Sequence, residues 1–294
     1  MRYQTPEAFR AALDQRLKNE AAVRGVALMR LRKRVGFERF LARLLVEQPA
    51  DWILKGAFAL DVRLGLATRA TKDIDLARAG DEQAATAHLT AAAAVDLGDF
   101  FSFDVRRTPA LDNAAGFHAV RYTVRAELAG RRYEQFPVDV ALGERLAVEA
   151  DQLAAPDLLA FAEIQAPVLP VVALEQHVAE KLHAYTASYG ASGTGSTRVK
   201  DLVDLALISD LAELDSERLR QALKLTFQAR AGQPLPDALP SPPPSWARPY
   251  TELARSAGTT PDIHAGHHAA AELLNPILSS VAAGRWNRAV RRWQ

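Results

Sequence analysis

Two aspartates stand one residue apart in Arg69-Ala-Thr71-Lys-Asp73-Ile-Asp75-Leu76, between apolar neighbours. In a strand, residues i and i+2 point to one side, so both carboxylates face the same way while Ile74 and Leu76 face the core. Two like charges this close repel unless a cation lies between them. Mg²⁺ suits such a place, because it keeps its waters, takes few protein oxygens and borrows phosphate oxygens. A third carboxylate, Asp139, is flanked by apolar residues in Phe136-Pro-Val-Asp139-Val140, on a strand able to lie beside the first. Three acidic groups on adjacent strands make a two-metal site for in-line phosphoryl chemistry. The alternative is an exposed strand face, since Asp-x-Asp alone is common.

The preceding segment, Trp52-Ile-Leu-Lys55-Gly56-Ala57-Phe58-Ala-Leu60, adds to the phosphoryl reading. A Lys-Gly at a strand end that opens a helix brings backbone N–H groups and a positive helix end to an anion. Gly56 lets the backbone approach closely. Lys55 or Arg69 can add charge on a phosphate. This is not a Walker A loop, which needs a different spacing and a Gly-Lys-Ser/Thr ending. An ordinary strand-to-helix turn is the plainer account of Gly56. Further on come Glu180-Lys181-Leu-His-Ala-Tyr-Thr186 and Arg198-Val-Lys200-Asp201-Leu-Val-Asp204. Lys181 lies among apolar positions and is expected to point inward, as a phosphate ligand of the point-charge type. Asp201 and Asp204 share a helix face. Surface ion pairing would explain Lys200 and Asp201, but less well Asp204, which sits inside Leu-Val-Asp-Leu-Ala-Leu-Ile.

The elements that must position these groups follow from periodicity and breakers. Thr5-Pro6 reads as a helix start, with a helix to about residue 20. A second amphipathic helix, Val26 to Val46, carries Arg30, Arg32, Lys33, Arg34, Arg39 and Arg43. Its basic residues are expected to form a solvated face, or alternatively part of a surface for a polyanion. Then come a strand at Trp52-Ile-Leu, a helix to Leu64, a strand at Asp73–Ala77 and a helix from Glu82 to Val95. Three strands follow, at Phe100–Val105, Phe117–Leu128 and Arg131–Leu142, with Ala129-Gly130 as a hairpin turn. Pro156, Pro167 and Pro170 punctuate a connector. From Leu174 the pattern is helical, over 174–189, 199–209, 215–229, 245–256 and 261–283. Gly190–Thr197 reads as a small-residue loop, and Pro234–Pro244 as a proline-rich crossing. The fold class is α+β, with a mixed-sheet domain at 1–165 and a helical domain at 166–294.

Composition narrows the classes. The chain has 294 residues, enough for a substantial core, and a net charge of +1, so any nucleic-acid surface must be a local patch. It has no cysteine, which excludes disulfides, zinc-thiolate sites, iron–sulfur clusters and thiol nucleophiles. No apolar run reaches membrane-spanning length and the N-terminus does not read as a signal peptide, so a cytoplasmic location away from membranes is expected.

Lys55-Gly-Ala-Phe-Ala-Leu followed by Arg69-Ala-Thr-Lys-Asp-Ile-Asp-Leu resembles the signature of the polymerase-beta-like nucleotidyltransferase superfamily. More narrowly, it resembles the AbiEii-type toxin nucleotidyltransferases. Lys181-x4-Thr186 and Asp201/Asp204 are similar to that family's downstream motifs, and the likeness runs in order over roughly residues 50 to 210. Length and a helical C-terminal half also resemble the mycobacterial toxin members. The resemblance implies a bilobed α+β fold with the active site in the cleft. It implies transfer of a nucleoside monophosphate, often a pyrimidine, from an NTP to the 3′ end of tRNA, with pyrophosphate leaving and translation blocked. It also implies a cognate antitoxin partner. Carried over by position, Asp73 and Asp75 would hold Mg²⁺, and Asp139 matches the third carboxylate. Gly56 with Lys55, Ala57 and Arg69 would bind the nucleotide, Lys181 would neutralise its outer phosphates, and Asp204 or Asp201 would complete the site. Ala57 and Phe58 depart from the usual small-residue and hydroxyl pattern, and Phe58 is expected to narrow the pocket. In some relatives a hydroxyl at the place of Thr71 is phosphorylated by the antitoxin, which would repel NTP phosphates and compete for Mg²⁺. A plain loop threonine is the other account of Thr71.

Two other readings remain open on the sequence: a nucleotidyltransferase acting on a protein or small molecule, and an inactive binding module. His264, His267 and His268 read as solvated or capping groups rather than metal ligands. Arg285-Trp286-Asn-Arg288-Ala-Val-Arg291-Arg292-Trp293 reads either as a grip on RNA by phosphate contacts and stacking or as a tail helix whose tryptophans pack on the body; packing is expected for Trp286, with RNA contact open for the arginines.

Overall fold

A computed structural model describes residues 1–47, 51–108, 119–143, 148–187, 198–230 and 233–294. The chain divides into two compact units: one holds Met1–Arg63, the strands that follow Thr71, and Asp151–Val171; the other holds Leu64–Ala70 and Val172–Gln294. The residues of the Gly190–Thr197 loop, and Phe117 at the expected strand start, lie outside the described residues.

In the first unit α1 (Pro6–Arg24) starts at the Thr5 cap, whose hydroxyl accepts from the Ala8 N–H at 3.3 Å. It runs past the expected end because Gly25, at φ 63°, is the first residue suited to a left-handed stop. Next come α2 (Leu28–Glu47), β1 (Ile53–Lys55), α3 (Gly56–Leu64), β2 (Ile74–Arg78), α4 (Glu82–Ala94), β3 (Phe101–Arg107), β4 (Ala119–Leu128) and β5 (Arg131–Leu142). Two further strands, β6 (Asp151–Ala154) and β7 (Val168–Val171), fall in the stretch expected to be a connector. They are too short, and β7 too interrupted by Pro170, to show a period. β1 meets β7 only at Val171, so the missing N–H of Pro170 costs that ladder nothing.

The strands form one mixed sheet in the order β3-β4-β5-β2-β1-β7-β6, with β2 parallel to β5 and β1 antiparallel to β2. The β4–β5 hairpin turns through Ala129 and Gly130, both at positive φ, as a two-residue turn of the I′ kind requires. It carries a β-bulge: Glu127 pairs with Arg132 but Ala126 pairs with Glu134, leaving Tyr133 as the extra residue. Tyr133 is buried, edge-on to Phe101 at 5.0 Å and under the Arg32 guanidinium at 4.5 Å.

One face of the sheet is core. Val120, Tyr122, Val124, Ala126 and Leu128 of β4 are buried, and so are Phe136, Val138 and Val140 of β5. Phe37 of α2 packs on Phe136 at 4.7 Å and on Phe58 of α3 at 4.9 Å. On the other face of β4, Arg121, Arg125 and Glu127 are exposed.

The arginines of α2 correct the expectation of a solvated basic face. Arg34, Arg39 and Arg43 are buried, in internal ion pairs. Asp99 accepts from Arg39 at 2.7 Å and from Arg43 at 2.6 and 3.0 Å, and Arg43 also donates to the Val95 and Phe101 carbonyls. Burial would raise the Asp99 carboxyl, but the hydrogen bonds and charges of Arg43 and Arg39 outweigh it and hold the group below its ordinary range. Nearby, Arg34 is shared between Glu38 and Asp61, both at 3.2 Å, and Arg30 reaches Asp61 at 2.7 Å. Such groups are satisfied inside the fold and are not placed for a polyanion.

The second unit is helical: α5 (Leu174–Thr186), α6 (Val199–Leu211), α7 (Ser216–Ala229), α8 (Ala247–Ser256) and α9 (Ile263–Leu278). From Leu202 to Ser209 every residue of α6 is buried, which makes it the unit's central helix. The chain then closes in a small ribbon, β8 (Trp286–Asn287) and β9 (Arg292–Trp293), in place of a tail helix. Trp286 is buried as expected and donates to the Ser209 carbonyl at 2.9 Å, while Trp293 donates to Leu273 at 3.0 Å. Arg288 caps the Leu211 carbonyl and Arg291 pairs with Asp210 and Glu272, so these two serve packing. His264, His267 and His268 lie in the first half of α9, behind the Asp262 cap. Among the described residues no helix is long and apolar enough to cross a membrane.

Candidate active site

The first unit aligns four charged side chains in one row. Lys55 ends β1 opposite Asp75 of β2, Asp75 stands beside Asp139 of β5, and Asp139 faces Arg121 of β4. Directly paired residues share a face, so the row reads plus, minus, minus, plus across four strands. Ile74 and Leu76, with their partners Val138 and Val140, are buried on the opposite face. The alternation read from Asp-Ile-Asp-Leu therefore holds.

Gly56 follows Lys55 and opens α3 at φ +64°. A Cβ at this position would fall inside the Asp75 carboxylate. Glycine is thus required twice, by the left-handed backbone and by the close approach of Asp75. The next residues behave differently from expectation. Phe58 is in the core against Phe37, and Ala57 is buried beside it, so Phe58 does not narrow a pocket on the site face.

Asp73 lies just before β2. The Thr71 hydroxyl donates to its carboxylate at 2.7 Å and approaches its carbonyl oxygen at 3.2 Å. Asp139, expected as a third metal ligand, has one oxygen on Arg121 Nε and the other on Arg121 Nη2, each at 2.6 Å. That hydrogen bond raises the Arg121 pKa above its ordinary value against a partial burial penalty, with further support from the charges of Asp139, Asp73 and Asp75. Among the described residues no three His, Cys, Asp or Glu side chains are grouped to hold a metal ion. Both oxygens of Asp139 are engaged by the Arg121 guanidinium. Asp73 and Asp75 alone still fit Mg²⁺, which needs few protein oxygens when phosphates and waters supply the rest.

The second unit holds the other expected residues in one cluster. Lys181 of α5 lies 2.6 Å from Asp204 and 3.2 Å from Asp201, both on α6. Arg69 forks onto Asp204 at 3.0 and 3.1 Å. Arg198 approaches Asp201 at 3.8 Å, whereas Lys200 is exposed. Burial would lower the Lys181 pKa, but Asp204 and Asp201 outweigh it and keep the ammonium charged. Burial would likewise raise Asp204, but Lys181 and Arg69 hold it below its ordinary range. Lys181 is buried against both carboxylates, and Asp204 is the one that orients two cations.

Sequence reasoning missed Arg121. It sits in an alternating strand exactly as Arg125 does, and nothing in its neighbours distinguishes the two. Its partner is set by the bulge at Tyr133, which no pattern announces.

A family profile described as the nucleotidyl transferase AbiEii toxin of type IV toxin–antitoxin systems matches residues 39–289. This chain belongs to the AbiEii family and is a nucleotidyltransferase toxin. Among solved structures it is similar in fold to MenT4, a nucleotidyltransferase toxin from Mycobacterium tuberculosis, with TM-score 0.55 and 20% identity over 92% of this chain and 98% of that one. JHP933 from Helicobacter pylori matches with TM-score 0.46 and 15% identity over 87% of this chain and 94% of that one. None of the curated proteins compared is similar in sequence.

Proposed function

We propose that this toxin transfers a nucleoside monophosphate, a pyrimidine one, from an NTP to the 3′ end of tRNA in the cytoplasm, and is restrained by a cognate antitoxin. The observation that carries the reading is Asp75 seated on Gly56, between Lys55 and Asp139 in one row. Asp73 and Asp75 would hold Mg²⁺, which supplies charge for the α-phosphate and lowers the pKa of the attacking hydroxyl when bound. Gly56 brings the backbone and the positive end of α3 close to the triphosphate, and Lys55 adds a cation at the strand end. Ala57 supports that turn from the core side. In the second unit, Lys181 and Arg69 serve as phosphate-neutralising cations, fixed in orientation by Asp204 and Asp201. The 3′-hydroxyl attacks the α-phosphorus, the new P–O bond forms, and the bond to pyrophosphate breaks in line. No covalent enzyme intermediate is needed, since positioning and charge neutralisation suffice. Thr71, bonded to Asp73, is the hydroxyl whose phosphorylation would disturb that carboxylate.

The test is a transfer assay with Mg²⁺, total bacterial tRNA and each α-labelled NTP in turn, beside Asp73→Ala. Label at tRNA 3′ ends from cytidine or uridine triphosphate, absent in the variant, is the expected result. Label on protein or a small molecule instead would overturn the tRNA acceptor.

A further inference from the structure

Arg121 is a charged group of the row that the transfer just described does not use. Its fork on Asp139 is half open to solvent, with side-chain exposures of 43% and 24%. An ion pair in such a setting adds little to stability. It has a larger consequence for ligands. While the guanidinium holds both oxygens, Asp139 is denied to a divalent ion at Asp73 and Asp75. One class of group competes well for a guanidinium fork, because it offers the same two-pronged oxygen geometry: a phosphate.

The geometry also says from which side such a phosphate comes. Neighbouring strands lie about 4.8 Å apart, so the Arg121 backbone stands roughly 14 Å across the sheet from Lys55 and Gly56. Beyond Arg121 the same face continues with exposed Arg125 on β4 and exposed Arg106 on β3; Arg106 is paired with exposed Asp104 at 2.8 Å, and Asp104 stands opposite Arg125. Arg121 is thus the cation nearest the carboxylates that an incoming phosphate would meet on that side, while the triphosphate belongs to the Gly56 end.

We propose that Arg121 is a positioning residue that couples acceptor binding to assembly of the carboxylate set. A backbone phosphate of the RNA acceptor draws Arg121 off Asp139, and the released Asp139 joins Asp73 and Asp75 around the divalent ion. The exchange makes and breaks no covalent bond. It rests on the RNA-acceptor reading given above.

The test uses the full chain and two binding readouts that need no turnover. Mn²⁺ serves as the metal probe, titrated without nucleotide or RNA. Arg121→Gln should bind Mn²⁺ about tenfold more tightly than the unaltered protein, because a carboxylate gained and a cation lost both favour the ion. Arg121→Gln combined with Asp139→Asn should lose that gain, and Arg121→Lys should fall between. Filter binding of total tRNA in EDTA should be about tenfold weaker for Arg121→Gln, since one forked phosphate contact is gone. Unchanged Mn²⁺ affinity in a variant with native circular dichroism, or unchanged tRNA affinity, would overturn the exchange. Both binding shifts without any labelled tRNA from the unaltered protein would instead sink the transfer reading and leave the exchange standing.

Discussion

Arg43–Asp99 and Arg121–Asp139 are both forked arginine–aspartate pairs in the first unit, and their surroundings are opposite. Arg43 and Asp99 have side-chain exposures of 0% and 1%, with Arg39 and two carbonyls completing the arrangement. Arg121 and Asp139 lie on the solvent side of β4 and β5, beside Asp75. In the buried pair neither partner can leave without stranding a charge, so the pair is part of the fold. In the half-open pair either partner can be exchanged for water or a ligand at small cost, so it is available for chemistry. Burial, more than residue type, separates these two pairs of the first unit.

Substitutions on each side of that contrast should respond differently. Asp73→Ala should lower transfer at least about a thousandfold, roughly 4 kcal/mol of transition-state stabilisation, with an unchanged melting temperature. Loss of folding in that variant would place Asp73 with the structural group. Asp99→Ala should do the reverse, destabilising by about 3–5 kcal/mol in urea unfolding because two buried arginines lose their partner. A shift below about 1 kcal/mol would mean that water reaches the cluster.

Gly56→Ala strikes both fold and site. The left-handed backbone and the clash with Asp75 should cost about 1–3 kcal/mol, and the displaced carboxylate should weaken Mg²⁺ binding. Retained stability together with retained metal affinity would show that the turn and Asp75 can move aside.

A gentler contrast is in pH. Burial pushes the Glu38 carboxyl from its ordinary 4.5 up to about 8, against the opposing pull of Arg34. Arg34 is 3.2 Å away, which by itself suggests an ionised pair, but Asp61 shares that guanidinium and burial prevails. A raised folded pKa means the native state holds the proton more tightly. This contribution is therefore complete below about pH 4.5 and is lost as pH rises through about 8. Glu38→Gln should flatten the fall in stability over that window, and an identical pH profile would refute the assignment. Asp99 and Asp204 have lowered folded pKa values, so their contribution is present above the ordinary carboxyl range and is lost in acid. At the small end, Arg248→Ala should change stability by less than about 0.5 kcal/mol, since its pair with Glu252 is wholly at the surface.

Much of this was legible in the sequence. Asp73 and Asp75 declared a shared side through alternation, and Gly56 declared a turn. The hairpin at Ala129-Gly130 and the helices of the second unit followed from period and breakers. The remainder depended on which face is covered. The arginines of α2 look the same whether they meet water or Asp99, and Asp99 is 56 residues from Arg43. Phe58 reads as pocket or core until Phe37 is placed against it. β6 and β7 are too short for a pattern, and Pro170 argued against one.

The buried ring of Tyr133 has a consequence beyond packing. Counted out from the turn in strict one-to-one register, with Tyr133 paired and no bulge, Arg121 would stand opposite Val138, whose side chain belongs to the core. Tyr133 therefore sets the phase of the hairpin, as one offset tooth sets the phase of two meshed gears. A regular hairpin of the same sequence, with Tyr133 paired instead of bulged, would keep Asp75, Asp139 and Arg121 in the chain and still lose their alignment.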